Sequence, residues 1–140
     1  MNPATLLHHL ERTKVAPRGE HALELEAVVS SGESEPAPVL LLTDSALYAL
    51  RAGRTWERLP LAQVTRVSVT VDPSGILTRY EVLDGSGAAW LDLALPFARA
   101  SFRQRLQHVA ERLTPRTPTR LALLRARRDA HLVTPRLLAA

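Results

Sequence analysis

The most restrictive feature of this chain is a change of hydrophobic period at Pro96. Before it, apolar residues alternate with polar ones or gather in short runs bounded by turn residues. After it, they recur at helical spacing. A train of short strands followed by an amphipathic helix predicts an α+β, mainly β domain. With 140 residues and 46% apolar content, the chain can bury one ordinary core and is too short for two full domains and a linker.

Seven strands are predicted. Leu23, Leu25 and Ala27 alternate with Glu24, Glu26 and Val28, which reads as a half-buried strand with the glutamates forming a solvated stripe. A polar loop over residues 30–36 leads to a continuous apolar strand at 39–43, followed by strands at 46–51 and 55–59. Val64, Val67, Val69 and Val71 mark a β-branched strand, and strands at 77–83 and 88–94 follow. Asp72-Pro73-Ser74-Gly75 and Asp84-Gly85-Ser86-Gly87 carry turn chemistry, because proline fixes one backbone angle and glycine admits positive φ. Each is expected to close a hairpin.

Helices flank this region. Asn2 before Pro3 reads as a cap and first-turn proline, with Leu6, Leu7 and Leu10 on one face of a helix reaching about Lys14. Over residues 97–113, Ala98, Phe102, Leu106, Val109 and Leu113 form an apolar stripe beside Arg99, Arg103, Arg105 and Arg112. Phe102, Leu106 and Val109 should face the β core and be joined there by Leu41, Leu47, Val67, Val82 and Leu93. Thr117-Pro118 caps a further helix to about His131, stopped by Thr134-Pro135. The expected organisation is an N-terminal helix over 1–16, a β-rich domain over 21–113 and a basic helical extension over 114–140.

Cysteine is absent, which removes disulfides, thiolate nucleophiles and cysteine-based metal sites. The N-terminal apolar run breaks at His8 and His9 and has no basic leader, so neither a signal peptide nor a membrane span is predicted and a cytoplasmic location is expected. Charge is unevenly spread. Residues 1–95 hold eight basic and twelve acidic side chains, whereas 96–140 hold ten basic and two acidic. This asymmetry fits an anionic partner, or a basic helical end that packs on an acidic body.

The segment Leu41-Leu42-Thr43-Asp44-Ser45-Ala46-Leu47-Tyr48-Ala49-Leu50 resembles the hydrophobic-Thr-Asp-x-x-Leu-Tyr phrase of bacterial pleckstrin-homology-like and GRAM domains. Leu59-Pro60-Leu61-Ala62-Gln63-Val64-Thr65-Arg66-Val67 is similar to the segment that follows it in those families. The resemblance covers roughly residues 21–113. It implies about seven antiparallel strands in a partly open barrel capped by an amphipathic helix, with extra N- and C-terminal helices. Lipid-binding members carry basic residues around the first hairpin loop. Here that loop, residues 30–38, has Glu33 and Glu35 and no basic residue, which argues against phosphoinositide binding in that mode.

No catalytic constellation is apparent. His8 and His9 are adjacent on a helix and diverge by about 100°, so they cannot share a metal from one face. His21, His108 and His131 read as surface residues, and no metal or cofactor is expected. Ser74, Ser86 and Asp84 are explained by their turns, without a Gly-x-Ser-x-Gly, Walker or dinucleotide-binding pattern. The sequence therefore predicts a non-catalytic binding or scaffolding module, engaging a protein partner or a second copy through a sheet edge or the groove beside the terminal helix. The alternative is binding of nucleic acid or an anionic membrane surface through Arg116, Arg120, Arg125, Arg127 and Arg128. Leu121, Leu123 and Leu124 lie among these arginines, which equally suits a docking helix with snorkelling side chains.

Overall fold

A computed structural model describes residues 1–29 and 35–113. Helix α1 (Pro3–Arg12) precedes four strands, β1 (Ala22–Val28), β2 (Ala37–Thr43), β3 (Ala46–Leu50) and β4 (Trp56–Pro60). A 3-10 turn over Leu61–Gln63 leads to β5 (Val64–Val71), β6 (Leu77–Asp84) and β7 (Ala89–Pro96), and α2 (Ala100–Leu113) follows. All pairings are antiparallel, in a four-stranded sheet of order β1-β2-β3-β4 and a three-stranded sheet of order β5-β6-β7. Among the described residues no ladder joins the two sheets, so these seven strands do not form a closed barrel. The proposed helix at about 117–131 lies outside the described residues.

Helix α1 begins as its sequence dictates. The Asn2 side chain accepts a 2.8 Å hydrogen bond from the Thr5 backbone N–H, satisfying one of the free donors of the first turn. Its buried face, Leu6, Leu7 and Leu10, packs with Leu25, Leu41, Ala46 and Tyr48 on the outer side of the four-stranded sheet. The inner side of that sheet contributes Leu40, Leu42, Leu47 and Leu59 to a second cluster, with Tyr80, Val82, Leu91 and Leu95 of the other sheet and Phe102 and Leu106 of α2. A strand covered on both faces must be apolar at consecutive positions. Hence β2 reads as an unbroken run rather than an alternation.

This double covering corrects two expectations. Leu41 is buried but belongs to the α1 cluster, whereas Leu47 and Val82 lie in the inner core and Val67, Leu93 and Val109 are half-buried against it. Glu26 is not on a solvated stripe but fully buried. Both faces of β1 are occupied, and irregularities in its register at Ala22/Glu24 and Glu26/Ala27 break strict alternation.

Helix α2 packs against β5 and β1, closing the side of the structure where these two edge strands lie. It starts at Ala100 rather than Phe97. Phe97 adopts left-handed backbone geometry, φ 54°, and its N–H donates to the Ile76 carbonyl, extending the β6–β7 ladder by one bond. Both Asp-started turns form as expected. Asp72 and Asp84 each accept from the serine two residues on, and Gly75 and Gly87 hold φ of 75° and 81°.

Candidate functional site

Two clasps tie the sheets together and leave one long edge uncovered. At the first, the Tyr80 hydroxyl on β6 donates to Glu26 Oε2 on β1 at 2.8 Å, and the Arg99 backbone N–H, just before α2, donates to both Glu26 oxygens at 3.1 and 3.2 Å. One buried carboxyl thus joins β1, β6 and the start of α2. Burial first, and the bond to Glu26 second, push the Tyr80 hydroxyl far above the usual tyrosine range. At the second clasp, the Arg51 guanidinium lies 4.4 Å from the centre of the Trp90 ring and donates to the Trp90 carbonyl on β7. Arg51 also pairs with Glu57 at 3.1 Å.

The phase of β7 follows from its ladder. The Phe97 N–H to Ile76 C=O bond makes Leu77 and Pro96 a non-hydrogen-bonded pair. Counting back, Leu95, Leu93 and Leu91 direct their backbone groups at β6, while Asp92 and Ala94 direct theirs away from the sheet. Among the described residues no strand lies on that side, and both residues are exposed. Their outward N–H and C=O groups have no partner among the described residues. The Trp90 carbonyl, which shares this direction, is occupied by Arg51.

Beside the far end of this edge lies an apolar corner. Phe97 is 80% exposed, Ile76 46%, Leu77 44% and Val71 39%. Leu77 pairs with Pro96 of β7, and Ile76 bonds to Phe97, so these side chains adjoin the open edge. A bulky residue in left-handed geometry is a backbone outlier. Here it carries the most exposed large apolar side chain of the described residues.

The five arginines singled out from the sequence, Arg116, Arg120, Arg125, Arg127 and Arg128, all lie outside the described residues. His8, His9, His21 and His108 are exposed, and His21 Nδ1 lies 3.0 Å from Asp44 Oδ2. Both tyrosines are buried, so neither offers a surface for base stacking. Sequence reasoning missed the apolar corner because Phe97 falls at the start of the predicted helical segment, 97–113. It also missed a basic cleft at the end of α1, whose one signal was the lone lysine, Lys14, at a helix end.

Comparison with known proteins found no matching family model, no matching curated protein and no matching solved structure. Among the described residues, no helix is long and apolar enough to cross a membrane.

Proposed function

We propose that this chain is a non-catalytic protein-interaction module on a pleckstrin-homology-like scaffold, and that it receives an extended segment of a partner protein along β7. The scaffold reading rests on the four-strand and three-strand sheets with α2 set between β5 and β1, together with the sequence phrases around Thr43 and Pro60. The binding reading rests on one observation: the unpaired outward backbone of Asp92 and Ala94 runs directly into the exposed corner of Phe97, Ile76 and Leu77. An added strand draws affinity from the backbone groups and specificity from the side-chain surface beside them. The groove beside α2 is the weaker candidate, because Phe102 and Leu106 already fill it.

Ala94→Pro tests this reading. It removes an outward N–H, and proline is tolerated on an edge strand with that side facing solvent. Pro96 already occupies the same phase two residues on. A polypeptide retained by the intact chain and lost with Ala94→Pro, at unchanged melting temperature, supports strand addition. Retention that ignores the substitution, or salt-sensitive recovery of nucleic acid alone, counts against it and favours the arginine-rich segment.

A further inference from the structure

Where α1 leads into β1, an open cleft with a volume of about 790 Å³ is lined by Arg12, Lys14, Arg18 and Arg58, by Glu11, and by the apolar residues 15–17. Its floor is built. Glu20, whose side chain is only 5% exposed, accepts from the Thr43 hydroxyl at 2.7 Å and from the Tyr48 hydroxyl at 2.8 Å. Its other oxygen accepts from Arg58 Nη2 at 2.6 Å and Nε at 3.0 Å. Arg58 is therefore fixed through two of its nitrogens. The two donors on Nη1 have no partner among the described residues.

The rim is basic and uncompensated. Arg12, Lys14 and Arg18 are exposed and form no ion pair among the described residues. Helix α1 ends in a Schellman turn, with the Val15 N–H donating to Leu10 C=O at 2.9 Å and the Lys14 N–H to Glu11 C=O at 3.1 Å. The left-handed position of that turn favours glycine, yet Lys14 holds it at φ 64°. The only lysine of the chain thus stands at a strained position on the edge of the cleft.

We propose that this cleft binds a phosphate-bearing ligand with at least two negative charges. Four cations outnumber the single lining carboxylate, and Glu20 is already engaged beneath Arg58. A guanidinium held on one side through Nε and one Nη2 hydrogen still presents a parallel N–H pair at its end, from Nη1 and the second Nη2 hydrogen, which suits phosphate oxygens. The volume is that of a small-molecule site. The cleft lies on elements other than β7, so it does not depend on the strand-addition reading. It is also separate from the first hairpin loop, which has no basic residue.

The test uses the full chain and two probes, inorganic pyrophosphate and phosphatidylcholine vesicles containing phosphatidic acid. The variant is Lys14→Gly combined with Arg18→Ala, which removes two cations and relieves the left-handed lysine. Pyrophosphate should shift the amide signals of residues 12–18 and the Arg58 Nε signal. The double variant should bind at least about tenfold more weakly with a melting temperature no lower than that of the parent. Vesicle binding without pyrophosphate binding, lost in the variant, would support the site with a lipid headgroup as the source. Shifts confined to residues after 113, or unchanged affinity in the variant, would overturn it.

Discussion

The Tyr80 hydroxyl and the Glu26 carboxyl, 54 residues apart in sequence, meet at 2.8 Å where neither side chain is open to solvent. Glu26 also receives the Arg99 N–H, so a β1 side chain acts as a remote cap for the segment entering α2. Tyr80→Phe should cost about 1 to 3 kcal/mol by removing a buried donor. Glu26→Ala should cost more, since it orphans both donors and opens a cavity. Urea unfolding of the two variants checks the order.

Alkali should unfold the protein through its tyrosines. Burial, then hydrogen bonding to Glu20 and Glu26, raises the hydroxyl pKa of Tyr48 and Tyr80 above the unfolded value of about 10. A raised folded pKa means that the contribution is fully present below pH ~10 and is lost as pH climbs above it. These are the chain's only two tyrosines. Tyrosinate absorbance should therefore appear together with unfolding, with a linkage approaching two protons. Tyr80→Phe should lower that number by one. Free ionisation near pH ~10 in the folded protein would contradict the burial.

Phe102 is fully buried and meets the Tyr80 ring edge-on at 5.5 Å between centroids. Phe102→Ala should cost about 3 to 5 kcal/mol, and Leu10→Ala, from the other cluster, about 2 to 5 kcal/mol. Comparable losses at both positions would show that α1 is a structural layer of the domain. A negligible effect of Leu10→Ala in thermal unfolding would make α1 dispensable.

Phe97→Gly separates stability from binding. Glycine suits φ 54° better than phenylalanine, at some entropic cost in the unfolded chain, so stability should be unchanged or raised by up to about 1 kcal/mol. Partner retention should fall, because the most exposed apolar side chain of the corner is gone. Calorimetry beside a retention assay checks both.

The strands were readable from sequence because their boundaries are local chemistry: the Asp-Pro-Ser-Gly and Asp-Gly-Ser-Gly turns, and the period change at Pro96. What lay on each face of a strand was not. Glu26 alternates with Leu25 as a solvated residue would, yet α1 covers Leu25 on the outer face while Tyr80 and the segment entering α2 enclose Glu26 on the other. The same limit applies to the site. Which β7 residues point away from the sheet depends on ladder phase, and composition carries no trace of it. Phe97 opens the helical segment by sequence, yet its backbone belongs to the end of a strand ladder.

The most direct test of strand addition is amide hydrogen exchange at β7. In the free chain, Asp92 and Ala94 should exchange fast, while Leu91, Leu93 and Leu95, bonded to β6, exchange slowly. A bound partner should slow Asp92 and Ala94 together, because an added strand takes up both outward N–H groups. If a retained partner leaves those two amides as fast as in the free chain, the β7 edge is not the binding site.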